Sequence, residues 1–264
     1  MDDKQSTVFQ LFKISHLAQN INGRPLPGNS NTFLDYYATF SDKFLYIGSM
    51  KLEVDQRFYT TPFLHLPFDI LCKLLHVGKS SFSEIFDFTN RVSTHCFAQV
   101  SKQQIMVDPN TRQSMEIPLS WRDKYGKMST GSPLIMKRLT RPATCILNVT
   151  HKIQASDIDS QGHTNFLSYI KLCIDVSKRV AVDGCYHRFS TRSLENGLKE
   201  FQIRYQNEVL LGEEVAVHVW EAADRTDQLC FEITKGPDVC IQATMAFFQT
   251  AINMPKFHLL DSKI

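Results

Sequence analysis

Between Ser156 and Tyr169 the chain gathers residues that can act on a carbonyl group. Asp157 and Asp159 are followed by Gly162, His163 and Asn165, and then by the largely apolar run Phe166-Leu167-Ser168-Tyr169. The carboxylates stand just ahead of what reads as a helix start, where unpaired N–H groups and the positive end of the helix dipole attract negative charge. With that spacing a carboxylate can reach a carbonyl that is polarised by the helix-start amides. Asp159 is the candidate for attack on the carbonyl or for activating water, and the residue types leave both routes open. Asp157, two residues earlier, is better suited to capping or bracing the loop. Gly162 is where a backbone amide can approach the carbonyl oxygen. His163 can donate a hydrogen bond to the substrate, orient Asp159, or simply cap the helix. Asn165 braces or caps the loop, and Tyr169, one turn on, reads as core.

These residues need elements to hold them. From Thr164 to about Val182 the polar positions Lys171, Asp175, Lys178 and Arg179 form one stripe, and apolar side chains cover the rest. A helix with so broad an apolar face is expected to be buried on several sides. A second helix is expected from about Thr32 to Leu45, with Asp35, Thr39, Asp42 and Lys43 as its polar stripe. Ser30 or Asn31, and His163 or Thr164, fall at the N-cap positions. Strands are expected over Leu198–Tyr205, Val215–Trp220, Leu229–Thr234 and Val239–Phe248, separated by turn-forming stretches. In the first half they fall at Tyr46–Asp55, Ser80–Phe88, His95–Val100 and Gln104–Val107.

The chain also reads as one unit written twice. Asn31-Thr32-Phe33-Leu34-Asp35-Tyr36 aligns with Thr164-Asn165-Phe166-Leu167-Ser168-Tyr169 at an offset of 133, His16 with His151 at 135, and Val77-Gly78 with Leu211-Gly212 at 134. Residues 1–120 and 144–264 are the expected copies, and 121–143, with Gly126, Gly131, Pro133 and Pro142, the linker. A helix followed by an antiparallel meander, repeated, gives an α+β plan.

The pattern Asp-x-Asp-x-x-Gly-His-x-Asn-x-x-x-Tyr resembles the active-site segment of hotdog-fold thioesterases, which cleave acyl thioesters of coenzyme A or acyl carrier protein. The likeness covers nearly the whole chain, and its plan is similar to the acyl-ACP thioesterase family of plants and bacteria. It implies two tandem hotdog folds, each an antiparallel sheet wrapped around a long buried helix. The turn at Met106–Thr111, ending Ile117-Pro118, resembles the last hairpin of many such enzymes. In that family an Asp-x-Asn-x-His arrangement is completed by a Tyr-x-x-Glu-Cys segment. Asp159, Gln161 and His163 match the first set, and Tyr205-Gln206-Asn207-Glu208-Val209 the second. The resemblance therefore adds Glu208 and Gln161 to the catalytic candidates Asp159 and His163, and leaves Gly162 and Asn165 for the substrate. Gln161 stands where the family has asparagine, and Val209 where it has cysteine, so a cysteine nucleophile there is ruled out. The first copy lacks the acids, with Leu26, Asn29 and Ser30 near the matching positions. Its aromatics Phe33, Tyr36, Tyr37, Phe40, Phe63, Phe82, Phe86 and Phe88 suit an acyl pocket or an ordinary core. The implied activity is hydrolysis of fatty acyl-CoA or acyl-ACP, with no cofactor and no metal. The competing reading is a non-catalytic acyl-thioester-binding double hotdog. A hydratase ranks last, because its Gly-Asp-x-Asn-Pro-x-His type of segment is absent.

Composition narrows the partners. A net charge of +2, from 29 basic and 27 acidic residues, gives no nucleic-acid surface, and no apolar run approaches a membrane span. Double-hotdog monomers leave room for further pairing into a homodimer. Seven cysteines without metal-type spacing suit reduced thiols in a cytoplasmic or organellar interior. Gly78-Lys79-Ser80 imitates the end of a P-loop, but Lys73 stands where its first glycine belongs. Cys185-Tyr186-His187 has no second ligand pair for zinc. The chain ends Ser262-Lys263-Ile264, one residue from the Ser-Lys-Leu peroxisomal address, so the expected location is peroxisome or cytoplasm. Fused to a fluorescent reporter, the last dozen residues should bring it into peroxisomes, and a diffuse cytosolic signal discards that address.

Overall fold

The alternating apolar residues of the chain assemble nine strands into a single antiparallel sheet. The computed structural model describes residues 4–59, 68–91, 94–143, 147–160 and 162–249. The strands are β1 (Phe44–Val54), β2 (Phe68–Val77), β3 (Ser81–Asn90), β4 (Cys96–Val107), β5 (Leu147–Lys152), β6 (Leu198–Tyr205), β7 (Glu214–Glu221), β8 (Gln228–Lys235) and β9 (Asp238–Phe247), in spatial order β2-β3-β4-β1-β6-β9-β8-β7-β5. Each half thus places its first strand after the helix in the centre, sends the next strand outward, and brings the following two back as a meander that ends beside the first. The halves join where β1 pairs antiparallel with β6, from Ser49 opposite Arg204 to Glu53 opposite Glu200.

Two long helices, α1 (Lys4–Asn22) and α4 (Phe166–Val182), pack together on one face of this sheet. Val8, Leu11 and Phe12 of α1 share one buried core with Tyr169, Ile170, Cys173, Val176 and Val180 of α4 and with Met50, Leu52, Phe201, Ile203, Val217 and Phe231 of the strands. Burying each large side chain of this kind contributes about 1.5–3 kcal/mol, and α4 supplies them on several sides, as its sequence requires. The Asn165 side chain caps α4 by accepting the Leu167 N–H at 2.9 Å.

The second half follows its sequence closely, with β6 running over the expected residues. The first half departs from it. The segment expected to be a helix from Thr32 to Leu45 is a 3-10 turn at Phe33–Asp35 and one short helix, α2 (Tyr36–Phe40), before β1 begins. Leu34 and Asp35 hold φ of 56° and 50°, which breaks any continuous helix there. The long helix of that half is α1 instead. The repeat is therefore present in topology, β1 to β4 answering β6 to β9, but not at the offset of 133–135. Leu26, Asn29 and Ser30 are thus not the counterparts of the Asp159 loop, because they follow α1 whereas that loop precedes α4. β4 is one strand, not two, since the polar Ser101-Lys102-Gln103 stretch is built into the sheet, and β2 joins it as an edge strand that alternation had not marked. Phe40 and Phe82 pack with Leu34, Trp121 and Tyr125 in a second cluster, while Phe86 and Phe88 belong to the main core and Tyr37 is exposed. Phe63, Gln161 and the Ser262-Lys263-Ile264 tail lie outside the described residues.

The chain crosses from the first half to the second over the outer face of the sheet. After α3 (Leu119–Gly126), Gly131 N–H bonds the Leu75 carbonyl on β2 at 2.8 Å, Ser49 on β1 reaches the Leu134 carbonyl at 3.3 Å, and the Gln242 amide on β9 pairs with the Leu139 N–H and C=O at 3.0 and 2.9 Å. Arg141 meets Glu232 at 3.3 Å beyond it. Among the described residues no helix is long and apolar enough to cross a membrane.

The halves are also clasped beside the β1–β6 joint, where Tyr59 OH donates to the Leu198 carbonyl at 2.8 Å. Gly197, with φ of 95°, lies against that ring, and an added Cβ would stand 2.8 Å from Tyr59 Cε2. Left-handed backbone costs a non-glycine residue about 1–2 kcal/mol before the clash is counted. Gly197→Ala should therefore lower the melting temperature by several degrees, read by circular dichroism. An unchanged melting temperature would show that the clasp is soft.

Candidate active site

The Asp159 loop is a short hairpin laid onto the segment that follows β6. Ile158 bridges Thr164 across the loop, and the Gly162 N–H closes its tip onto the Asp159 carbonyl at 3.1 Å, with Gly162 at φ 82°. Thr164 docks the loop, its N–H and hydroxyl both donating to the Val209 carbonyl at 3.0 and 2.7 Å. His163 forms a bridge with Leu210. This register sets the His163 side chain beside Glu208: Nε2 lies 3.3 Å from Oε2. Two residues 45 positions apart in the chain are thus paired by one threonine and the burial of Val209.

Asp157 takes a bracing part. Its carboxylate accepts the Gln154 N–H at 2.9 Å and meets His151 Nε2 at 3.1 Å, and its carbonyl receives the Asn165 N–H at 2.7 Å. Partial burial pushes its pKa upward, but the Gln154 amide and the His151 ring outweigh this and hold it below the usual carboxylate range. Asp159 is half-buried, and its Oδ1 accepts the His163 N–H at 3.2 Å. Asn165 spends its side chain on the helix cap. The Gly162 N–H is engaged within the loop. Tyr169 is buried, stacked edge-on against Tyr205 at 6.0 Å between ring centres, and is structural.

A further donor reaches this loop from the other half. The loop after β4 is tied by Asp108, whose Oδ1 accepts the Asn110 and Thr111 N–H groups at 2.9 and 2.8 Å. Those two amides hold its carboxyl below the usual range. Arg112 turns back through a left-handed conformation, φ 59°, and its N–H reaches the Asp108 carbonyl at 3.0 Å. Its guanidinium crosses the joint between halves: Nη1 lies 3.0 Å from His163 Nε2 and 3.5 Å from Glu208 Oε1, against the Tyr46 hydroxyl and over the Phe44 ring. Tyr46 is itself pushed above its ordinary pKa, by burial first and then by Glu208 and Asp159, countered by Arg112. Arg112 and Tyr46 carry no motif. The sequence marks the Asp108-Pro109-Asn110 turn, but not the guanidinium it aims.

The set is solvent-accessible, with 42% of the Glu208 side chain, 44% of Arg112 and 14% of His163 exposed. Nε2 cannot accept from Arg112 and donate to Glu208 at once. With Arg112 always charged, the neutral ring carries its proton on Nδ1, and Arg112 bridges Nε2 and Glu208. Thiol catalysis has no support here. The described cysteines are all free, and burial raises the thiols of Cys72, Cys96, Cys173, Cys230 and Cys240. No cluster of three or more metal-binding side chains exists among the described residues. A cavity of about 290 Å³ lined by Arg141, Thr150, His218 and Thr234 lies on the opposite face of the sheet from the helices.

No family model and no curated protein matches the chain by sequence. Solved structures do match it. An acyl-ACP thioesterase from Bacteroides thetaiotaomicron superposes with a TM-score of 0.61 at 14% identity, over 92% of this chain and 89% of that one. A 12:0-ACP thioesterase from Umbellularia californica gives 0.60 at 12% identity, over 78% and 76%. A Lactobacillus plantarum protein assigned as an oleoyl thioesterase gives 0.58 at 18%, over 78% and 77%. The chain therefore has the double-hotdog fold of these proteins.

Arg112→Ala should release His163. Imidazole 15N spectra should show Nε2 as the unprotonated nitrogen in the wild type at neutral pH and a mixture of tautomers in the variant. Identical spectra would mean that the guanidinium does not set the ring.

Proposed function

We propose that this chain is an acyl thioester hydrolase acting on acyl-CoA or acyl-ACP, with one site at the junction of its halves. One observation carries the reading: the loop bearing Asp159 delivers His163 to within 3.3 Å of Glu208, with a guanidinium from the other half closing on both. The double-hotdog fold supports it. A carboxylate, a histidine and a fixed cation around a water-accessible point are what acyl transfer to water requires.

In this reading a carboxylate takes a proton from water as the oxygen adds to the acyl carbon. Asp159 is the first candidate, and Glu208 holds the Arg112 guanidinium against His163. Arg112 holds the oxygen that gains charge in the tetrahedral state, and His163 positions its guanidinium. That state collapses with cleavage of the carbon–sulfur bond, and the proton passes to the departing thiolate. The products are free acid and thiol, with no cofactor consumed. Val209 is buried and apolar where the resembling family carries cysteine, which leaves water as the attacking group or Asp159 itself.

Thiol release measured across acyl-CoAs and acyl-ACPs from short to long tests this directly. Asp159→Asn should lower kcat by roughly 10²–10⁴, the usual range for a lost acid–base group, with the circular dichroism spectrum unchanged. Glu208→Gln and His163→Ala should reduce kcat more than they change KM, because an orienting or polarising group matters most in the transition state. Ser30→Ala, on an exposed turn, should behave as wild type. If no thioester of any length is cleaved, the non-catalytic acyl-binding reading takes over.

A further inference from the structure

The helix-covered face of the first half is apolar except for one island. Glu84 on β3 stands opposite Lys102 on β4, with side chains pointing under α1, and they are 1% and 0% exposed. They are not in direct contact as an ion pair. Gln19 of α1 sits between them, its amide donating to Glu84 Oε2 at 2.5 Å and accepting from Lys102 Nζ at 2.9 Å. Gln104 donates to Glu84 Oε2 at 2.7 Å. Burial raises the Glu84 carboxyl and lowers the Lys102 ammonium to about 8. Taking such groups out of water costs several kcal/mol per ion, which leucines in their place would avoid.

One side of the island is met by aromatic rings and not by hydrogen-bonding groups. An ammonium has three donors, and besides Gln19 the Lys102 nitrogen faces the rings of Phe86 and Phe166, at 5.2 and 5.9 Å from their centres. His16, on the same stretch of α1, has a buried Nδ1 without a hydrogen-bond partner and packs edge-on against Phe166 at 5.1 Å. Both groups thus face one ring. Phe166 is the first residue of α4, directly after Asn165 of the Asp159 loop, so its ring links the island to the element that carries the candidate site.

We propose that the island of Lys102, Gln19 and Glu84 receives an oxygen atom on the acyl chain, entering past Phe166, so that the substrates are thioesters of oxygenated acyl groups rather than of plain alkyl chains. The shared chemistry is an acceptor oxygen, whether hydroxyl or carboxylate. A plain chain would instead strand the lysine donors under methylene groups, which an apolar contact cannot satisfy. The inference rests on the hydrolase reading for the identity of the thioester, but the binding preference stands apart from turnover.

The test is calorimetric titration of the full chain with non-hydrolysable acyl-pantetheine thioethers, matched in length and ending in methyl, hydroxyl or carboxylate, from short to long. At one or more lengths an oxygenated thioether should bind at least about tenfold more tightly than its methyl partner, and the better of the two arms names the oxygen. Lys102→Met and Gln19→Leu should each bring that ratio towards one. Where a variant does not fold, the wild-type ratio decides. No preference at any length, through equal binding or none, overturns the proposal. So does a preference that survives in folded Lys102→Met, since the network would then only dock α1. Preferential binding without cleavage of the matching thioesters would sink the hydrolase reading alone. Cleavage without preference would sink the island alone.

Discussion

The five-residue ladder between β1 and β6 is the constraint on which the rest of the molecule hangs. It makes two meanders into one sheet, and it sets their relative position by backbone hydrogen bonds whose register cannot slip by one residue without turning Met50, Leu52, Phe201 and Ile203 out of the core. Lys51 on the other face, at 2.8 Å from Glu53 and 3.4 Å from Glu200, agrees with the same register. The candidate site lies just past one end of this ladder. There β6 runs out into Glu208 while β1 continues alone beside β4, carrying Tyr46. A shift of one strand spacing, about 4.8 Å, would separate Arg112 from His163 altogether.

What the sequence made legible divides along a physical line. Where apolar and polar residues alternated by the period of their element, in α4 and β6 to β9, the elements stand where expected. The acidic motif was legible because it is local: its residues are neighbours in the chain and a glycine and a helix cap hold them. Glu208 came from resemblance, and the Thr164–Val209 docking gives it a physical reason. The first half was misread because its core is partly polar. Gln19 and Ser15 interrupt the buried face of α1, and Lys102 interrupts β4, so a true helix looked featureless and a true strand looked like two. The Thr32–Leu45 stretch has a helical apolar spacing, yet two left-handed residues outweigh it. Arg112 was invisible because its role comes from a turn conformation and from a contact across the joint, neither of which leaves a spacing to find.

The two halves have divided their labour without dividing the site. The second half supplies the loop, His163 and Glu208, and the first supplies the guanidinium that spans them. A guanidinium is suited to this, because its planar fork can meet two partners at once. It sits on a hairpin stiffened by Asp108, so the backbone that carries it is already held in place when it meets the ring.

The crossing segment on the outer face has a further consequence, in the currency of concentration. Single-unit relatives of such a fold would have to find a partner by diffusion, and their joint would weaken on dilution. Here the second half is delivered by a chain pinned at Leu75, Ser49, Gln242 and Glu232 on its way across roughly 40 Å of sheet, at about 4.8 Å per strand gap. A tether holds its ends at an effective concentration in the millimolar range even when slack, and one fastened along its length is stiffer still. The joint, and any site that straddles it, is therefore insensitive to how much of the protein a cell makes.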